Sequence, residues 1–368
     1  MSTFSKLGLA KTWGKSLFKQ GISEPTPIQQ EVIPAFLEKQ NIFAQAQTGS
    51  GKTLAFLLPM LQLIDRDNKD AQALVVTPTR ELALQISNEI SKLTENISEI
   101  QSLAVYGGQD VAQQVKKSKQ GAQFIVATPG RLLDHIRRGT IDLSSVSMFV
   151  LDEADEMLRM GFLPEVHQIL DALPEQIQTG LFSATLNEDV RKLATSFMKD
   201  PSDIRIAPKQ KVVKTIKHHM VETTDRGKFE DLCKIIEEER PFMAILFCRT
   251  KLRAMKLAGL LKRKNYIVDE LHGDLSQAKR ERVMRDFRNT KIQYLVATDV
   301  AARGVDVEGV THVFNYDIPQ DVESYIHRIG RTGRAGEEGV AITLFTPKDK
   351  NIVKMIQEEV DVKIVSSQ

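Results

Sequence analysis

Residues 42–53 read Ile-Phe-Ala-Gln-Ala-Gln-Thr-Gly-Ser-Gly-Lys-Thr, an apolar segment followed by a glycine-rich loop. The loop stands between a predicted strand, Ile42–Ala46, and an apolar helical stretch, which is the context that a phosphate-binding loop requires. Its glycines let several backbone N–H groups converge on a phosphate, and the following helix N-terminus adds a favourable dipole. Lys52 would reach the β- and γ-phosphates, and the Thr53 hydroxyl would ligate Mg²⁺. Ala46 stands where such loops usually have their first glycine.

Two acids follow a second apolar strand. Residues 147–151 read Ser-Met-Phe-Val-Leu, and Asp152 and Glu153 come directly after them. In nucleotide hydrolases with a phosphate loop, the acid at the strand end holds the Mg²⁺ shell. The next acid is placed to orient or deprotonate the attacking water. A strand that simply runs into a capped helix is the structural alternative, and the phosphate loop in the same half of the chain favours the catalytic interpretation.

Short apolar strands alternate with helical stretches along the chain, which predicts parallel sheets covered on both faces. The alternation breaks near residues 200–217, where prolines precede a run of lysines. We therefore predict two α/β domains, 1–207 and 218–368, joined by an exposed linker at 208–217. The predicted strands are Ile42–Ala46, Ala73–Thr77, Leu103–Tyr106, Phe124–Thr128, Phe149–Leu151 and Leu181–Phe182, then Ala244–Phe247, Val268–Leu271, Tyr294–Thr298, His312–Asn315 and Ala341–Phe345; the last predicted helix is Lys348–Glu359.

Composition excludes several classes of protein. The 368 residues are 42% hydrophobic and 27% charged, which is enough apolar material for packed cores. No window approaches the ~20 uncharged apolar residues of a membrane span, and residues 1–6 do not resemble a secretory signal. The two cysteines, Cys233 and Cys248, exclude a disulfide framework and a four-cysteine zinc site, and predict a cytoplasmic protein. Proteins that bind nucleic acid through charge alone are usually far more basic than the net charge of +2 found here. Any nucleic acid would therefore be bound through contacts with specific residues.

Residues 152–155 read Asp-Glu-Ala-Asp. Together with the phosphate loop, this motif resembles the DEAD-box RNA helicases, and the resemblance extends from about Phe4 to Thr346. It implies two tandem RecA-like domains, ATP and Mg²⁺ as cofactors, and RNA-stimulated ATP hydrolysis. It also implies that domain closure separates short RNA duplexes or remodels RNA and RNA–protein complexes. An ATP-gated RNA clamp with little unwinding of its own, a DNA helicase with related motifs and a small-molecule nucleotide hydrolase remain alternatives.

The same resemblance assigns nucleotide contacts. Residues 25–29, Pro-Thr-Pro-Ile-Gln, look like the family's adenine-recognition segment, in which Gln29 would bond the adenine edge and Phe4 would stack nearby. Asp306 would contact the ribose. Ser183 and Thr185 belong to a Ser-Ala-Thr motif whose hydroxyls can bond the 152–155 segment and couple hydrolysis to domain contact. The loop residues assigned to the nucleotide are Ala46, Gln47, Thr48, Gly49, Ser50, Gly51, Lys52 and Thr53.

Residues 327–334, His-Arg-Ile-Gly-Arg-Thr-Gly-Arg, carry arginines interrupted by glycine. Such a stretch is a poor helix interior, and it suits a loop that aims guanidinium groups at phosphate. The resemblance assigns Arg331 and Arg334 to the γ-phosphate, as arginine fingers supplied across the cleft. Fixed cations at this point stabilise the charge on the transferred phosphoryl group.

Proposed RNA contacts follow several predicted strands. Ala73–Thr77 and the strand at 124–127 are each followed by a proline and an arginine at a helix start, beyond the carboxyl ends where parallel sheets bind ligands. Contacts there would hold the sugar–phosphate backbone without reading base sequence. Arg249 stands where family members often carry asparagine. Partner proteins would direct the protein to its RNA. The resemblance places RNA contacts at Pro78, Thr79, Arg80, Gly107, Gly108, Thr128, Pro129, Gly130 and Arg131, and at Arg249, Gly273, Gln277, Arg280, Thr298 and Asp299.

Overall fold

The computed structural model describes residues 3–47, 49–97, 99–108, 114–115, 121–206, 216–302, 307–333, 338–360 and 363–366. The chain divides into two compact units, Met1–Pro208 and Lys209–Gln368. Each unit contains one seven-stranded sheet, and every strand pairing in both sheets is parallel among the described residues. The predicted fold class, two tandem α/β domains with parallel sheets, is confirmed.

The sheet of the first unit has the strand order β3-β4-β2-β5-β6-β1-β7. Its central strands β2, β4 and β5 are buried along their whole length, as expected for a parallel sheet with helices on both faces. Alternate residues of β2 join different hydrophobic clusters, Ala73 and Val75 on one face and Leu74 and Val76 on the other. The strands are β1 Ile42–Gln45, β2 Ala73–Val76, β3 Ser102–Val105, β4 Phe124–Ala127, β5 Met148–Leu151, β6 Gln178–Ser183 and β7 Ser202–Arg205.

The sheet of the second unit has the order β10-β11-β9-β12-β13-β8-β14. Its central strand β9 is fully buried, and its side chains also alternate between two clusters, with Leu246 in one and Ile245 in the other. The strands are β8 Ile216–Glu222, β9 Ala244–Cys248, β10 Val268–Leu271, β11 Tyr294–Thr298, β12 His312–Asn315, β13 Gly339–Phe345 and β14 Lys363–Ser366.

Helices connect most of these strands. None of the helices in the described ranges has the length and apolar character to cross a membrane. The α-helices are Lys11–Lys19, Pro27–Leu37, Lys52–Leu63, Arg80–Leu93, Pro129–Arg137, Ala154–Arg159, Leu163–Asp171 and Glu188–Phe197 in the first unit, and Lys228–Glu239, Lys251–Arg263, Gln277–Arg288, Asp299–Ala302, Val322–Ile329 and Lys350–Glu359 in the second; Thr3–Leu7 and Pro347–Asp349 are 3₁₀ turns.

Three strands, β7, β8 and β14, were not predicted. β7 and β14 lie at the edges of their sheets, and β8 pairs with β14. β7 buries only Ile204, and in β8 the exposed Lys217 and half-buried His219 interrupt the apolar pattern. The predicted linker, 208–217, lies outside the described residues up to position 215, and its last two residues instead begin β8. The domain boundaries stay a prediction.

Candidate active site

The glycine-rich loop connects β1 to the helix Lys52–Leu63. Gly49 and Gly51 both have left-handed backbone angles, with φ of 79° and 91°. The Lys52 side chain is 8% exposed, and its Nζ donates a hydrogen bond to the Ala46 carbonyl at 2.6 Å. The loop therefore curls around the Lys52 ammonium group, at the helix N-terminus where a phosphate would meet both charge and backbone N–H groups.

Gly51 is fixed by contacts with the segment that precedes β1. The Gln29 side chain accepts a hydrogen bond from the Thr26 N–H at 2.9 Å and donates one to the Gly51 carbonyl at 3.1 Å. A Cβ on Gly51 would lie 2.5 Å from Gln29 Nε2 and 2.9 Å from Thr26 Oγ1. The predicted adenine-recognition segment is thus joined directly to the phosphate loop.

These contacts predict that Gly51→Ala lowers the free energy of unfolding more than Gly49→Ala does. Both changes place a side chain at positive φ, which costs roughly 1–2 kcal/mol. Only Gly51 is crowded, because a Cβ at Gly49 meets open space among the described residues. Displacing Gln29 should add about 1 kcal/mol through the lost hydrogen bonds. Urea unfolding of both variants measures the difference, and equal losses would contradict the crowding.

Phe4 lies in the core of the first unit. Its side chain is 1% exposed and belongs to the hydrophobic cluster that contains Trp13 and Leu17. The proposed stacking of Phe4 near the adenine stays a prediction. Burial of apolar area stabilises the fold, so Phe4 anchors the N-terminal turn Thr3–Leu7 to the core.

The two acids after β5 differ in exposure: Asp152 is buried and Glu153 is half-buried. Asp152 is 4% exposed, and burial raises the pKa of its carboxyl group to about 7. The charge of Lys52 acts in the opposite direction, while Glu153 and Asp155 raise this pKa further. Asp152 Oδ1 accepts a hydrogen bond from the Glu153 N–H at 3.0 Å. The carboxylate of Asp152 is therefore held at the strand end beside one cation and two like charges.

Glu153 has an unusual backbone conformation. Its φ is 52° and its ψ 52°, in the left-handed region that non-glycine residues rarely adopt, and it stands directly before the helix Ala154–Arg159 without a capping hydrogen bond from its side chain. Residues held in this region cost of order 1–3 kcal/mol and cluster at functional sites. The strained backbone at Glu153 therefore lowers the stability of the fold while it fixes the position of the residue.

Asp155 links the acidic motif to the Ser-Ala-Thr motif. It is 5% exposed, and its Oδ2 accepts hydrogen bonds from the backbone N–H of Ala184 at 3.2 Å, the N–H of Thr185 at 3.0 Å and the Thr185 hydroxyl at 3.1 Å. The Ser183 hydroxyl instead donates to the Thr185 carbonyl at 2.6 Å. The expected bond between hydroxyl and acidic segment is therefore present for Thr185 and absent for Ser183 among the bonds of the described residues.

The proposed RNA residues of the first unit share one edge, because β3, β4 and β2 are neighbours and parallel. Thr79 accepts a hydrogen bond from the Leu82 N–H at 3.3 Å and caps the helix after Pro78. The Arg80 guanidinium lies against Gly107, since a Cβ there would be 3.2 Å from Arg80 Nη2. The remaining predicted residues at this edge are Gly108 after β3 and Thr128, Pro129, Gly130 and Arg131 after β4.

Sequence reasoning missed two buried residues at this edge. Gln114 is 1% exposed, and its Oε1 accepts a hydrogen bond from Arg131 Nη1 at 3.2 Å and lies 3.0 Å from His135 Nε2. Burial lowers the pKa of His135, and the charge of Arg131 acts in the same direction. Nothing in the polar stretch around Gln114 distinguishes it from its neighbours. The i,i+4 spacing of Arg131 and His135 on one helix was the available signal.

The arginine-rich stretch of the second unit is only partly a loop. His327 and Arg328 belong to the helix Val322–Ile329, contrary to the prediction. Arg328 is 3% exposed, and its guanidinium donates two hydrogen bonds to the Asp299 carboxylate and one to the Asn315 Oδ1 at 3.1 Å. A paired and hydrogen-bonded guanidinium can be buried. The Asp299 charge, assigned to RNA above, is thus matched by Arg328 inside the unit.

Arg331 follows this helix and is 8% exposed, and its Nε donates to the His327 carbonyl at 3.3 Å. Of the other predicted residues of the second unit, Gly273, Gln277 and Arg280 follow β10, and Thr298 is the last residue of β11. The Gln277 amide donates a hydrogen bond to Glu281 at 2.9 Å. Three predicted residues, Thr48, Asp306 and Arg334, lie outside the described residues.

Asp317, which follows β12, contacts cationic residues that follow β8 and β9. It is 5% exposed, and its Oδ2 accepts hydrogen bonds from the Arg249 N–H at 3.0 Å and from Arg253 Nε at 2.6 Å. Lys228 Nζ lies 3.7 Å from the other oxygen, and burial lowers the pKa of Lys228. The Arg249 guanidinium also donates to the Ile318 carbonyl at 3.3 Å. Arg249 is thus tied to its own unit through main chain and side chain.

Comparison with known proteins matches both units. A DEAD/DEAH box helicase model matches residues 26–193, and a helicase conserved C-terminal domain model matches residues 227–336. An ATP-dependent RNA helicase CshA from Listeria monocytogenes is 48% identical over 97% of this chain and 69% of the relative, and one from Geobacillus kaustophilus is 47% identical over 95% and 74%. The structure of S. cerevisiae Dbp5 bound to RNA and ADP BeF3 has 33% identity and a TM-score of 0.89, covering 100% of this chain and 96% of that one.

Proposed function

Because the chain belongs to the DEAD-box ATP-dependent RNA helicases, we propose that it hydrolyses ATP to separate short RNA duplexes or to remodel RNA and RNA–protein complexes. It is an RNA-stimulated ATPase that forms ADP and phosphate. One observation in the first unit carries the proposal: a buried lysine in the loop after β1 and two acids after β5 lie at the same carboxyl edge of one sheet, with only β6 between the two strands.

The nucleotide would bind at this edge through the loop residues 46–53, with Lys52 on the β- and γ-phosphates and Gln29 on the adenine. The donor set fits Mg²⁺, because Asp152 is a buried carboxylate whose charged form a divalent cation would stabilise. Thr53 and Asp152 would hold the ion, largely through water. When bound, Mg²⁺ supplies positive charge that stabilises the transferred phosphoryl group.

The chain's own residues would perform the remaining steps. Glu153, beside Asp152 and in a strained turn, would orient or deprotonate the attacking water. Arg331 and Arg334 would act as arginine fingers on the γ-phosphate. Asp306 would contact the ribose.

RNA would bind through its sugar–phosphate backbone at the carboxyl edges of both sheets, through the residues assigned above. The Thr79 cap and the Arg80 position against Gly107 support this assignment in the first unit. A cytoplasmic location and partner proteins that direct the enzyme to its RNA are part of the proposal; the free, buried state of Cys233 and Cys248 agrees with a reducing compartment.

Coupling between ATP and RNA would require that each ligand binds a closed arrangement of the two units better than an open one. Mutual strengthening of the two ligands follows by linkage. The hydrogen bonds from Ala184 and Thr185 to Asp155 support a route by which the acidic motif and the Ser-Ala-Thr motif respond together.

The test is the rate of ATP hydrolysis without nucleic acid, with single-stranded RNA and with DNA of the same sequence. Stimulation by RNA alone is the expected result, and unwinding of a short RNA duplex is then measured. Stimulation by both nucleic acids would point to the DNA helicase alternative. Equal turnover in all three assays would contradict RNA coupling, and RNA stimulation without unwinding would favour the ATP-gated clamp.

A further inference from the structure

Gln114 connects separate parts of the proposed RNA edge. Its Nε2 donates a hydrogen bond to the Tyr106 carbonyl at 3.0 Å, directly before Gly107, while its Oε1 accepts from Arg131. We propose that Gln114 is a positioning residue for RNA, whose buried amide fixes the Arg131 guanidinium relative to the turn at Gly107. The inference rests on the proposed function, because Arg131 and Gly107 are themselves proposed RNA contacts.

The neighbours of Gln114 determine its orientation. A guanidinium only donates hydrogen bonds and a backbone carbonyl only accepts them. The amide oxygen must therefore face Arg131, and the amide nitrogen must face the Tyr106 carbonyl. It follows that His135 donates from Nε2 to the same oxygen, and that its Nδ1, 2.8 Å from the Thr140 hydroxyl, accepts when the ring is neutral. A neutral donor-and-acceptor side chain is required at position 114.

The network reaches both arginines of this edge. Gln114 bonds Arg131 directly, and it holds the turn against which Arg80 packs. Each arginine has a long side chain that loses rotamer freedom when it binds a phosphate. A guanidinium that is already held in the folded protein loses less rotamer freedom when it binds a phosphate, so a lower concentration of RNA is enough for binding.

The uncharged state of the amide is part of the inference. A carboxylate at position 114 would still accept from Arg131, but it would offset the charge that phosphate needs and would not donate to Tyr106. Gln114→Glu should therefore weaken RNA binding although its shape is conserved. When a cation no longer neutralises its phosphate on a single strand, the slope of log affinity against log salt becomes shallower by about 0.7.

The experiment measures the concentration of single-stranded RNA that gives half-maximal ATPase stimulation, and the rate at saturating RNA. Gln114→Leu should raise the half-maximal concentration about tenfold, as expected for a hydrogen bond to a charged group, with the saturated rate changed less than about twofold. The matched control is Gln168→Leu. Gln168 also accepts a hydrogen bond from an arginine, Arg137, at 2.8 Å, and Arg137 lies on the same helix as Arg131, but Gln168 is exposed. The control should leave both quantities unchanged.

Two further variants keep the inference testable if Gln114→Leu folds poorly. In an Arg131→Ala background, Gln114→Leu should add less than about threefold, because residues that act through one contact are not additive. Gln114→Glu should fold, by its thermal transition, and show the shallower salt slope. A full tenfold effect in the double variant, or an unchanged salt slope, overturns the inference. If RNA stimulates the wild-type enzyme and Gln114→Leu has the same half-maximal RNA concentration, the inference about Gln114 is overturned and the proposed function stands. If RNA does not stimulate the wild-type enzyme, both the proposed function and the inference are overturned.

Discussion

Glu153→Gln is expected to lower the rate of ATP hydrolysis by roughly 10²–10⁴-fold, the range for loss of a general base. The amide keeps the size of the side chain and the backbone strain at this turn, so the Asp152 geometry should persist. ATP and RNA should remain bound because neither the phosphate loop nor the RNA edge is altered. Single-turnover hydrolysis and equilibrium binding of a fluorescent nucleotide and a labelled RNA measure the three quantities.

Glu165→Gln is the matched control for this change. Glu165 lies on the next helix, Leu163–Asp171, and its conversion to an amide should leave hydrolysis at the wild-type rate. A Glu153→Gln protein that binds neither ATP nor RNA would show that Glu153 is structural. Wild-type hydrolysis in the same variant would remove it from the mechanism.

Lys52→Ala is expected to abolish detectable hydrolysis and to weaken ATP binding by roughly 10–100-fold, from loss of a charged hydrogen-bond donor to phosphate. Lys52 is 8% exposed, and its charge is the largest of the effects that lower the pKa of Asp152 against the effect of burial. Its removal therefore also leaves a buried carboxyl group without its neighbouring cation. Isothermal titration with ATP and a steady-state hydrolysis assay measure both effects.

Lys228→Ala provides the comparison, because Lys228 is also buried and lies 3.7 Å from the buried Asp317 in the second unit. Truncating it should destabilise that unit and leave nucleotide affinity unchanged. Near-normal turnover of Lys52→Ala would contradict the assignment of the phosphate loop. Equal loss of ATP affinity in both variants would mean that the effect is one of general stability.

The central strands and the phosphate loop could be predicted because their signals are local. Strands such as β2 and β5 are continuous apolar runs, and glycine, lysine and threonine stand together in the chain. The edge strand β7 was missed because a strand that buries few side chains carries little apolar signal. At β7 only Ile204 carries the signal.

Residues whose role depends on distant partners could not be predicted. Arg328 looks like its arginine neighbours in sequence, and its hydrogen bonds to Asp299 and Asn315, which are distant in the chain, make it a buried structural group. Gln114 has the same character, since its partners come from the end of β3 and from the helix after β4. The packing of Phe4 against the core likewise depends on residues elsewhere in the chain.

The left-handed backbone at Glu153 has a consequence for engineering and for evolution. Glycine adopts this conformation without strain, so a thermal-unfolding scan of Glu153→Gly is expected to show a higher transition temperature than that of the natural chain. The relieved strain of about 1–3 kcal/mol exceeds the roughly 0.5–1 kcal/mol that glycine's larger unfolded-state entropy costs. A library selected for heat resistance alone would accumulate such replacements and lose turnover in the same step. Thermostabilisation of this enzyme therefore needs a counter-selection for catalysis at position 153, where the two traits oppose each other.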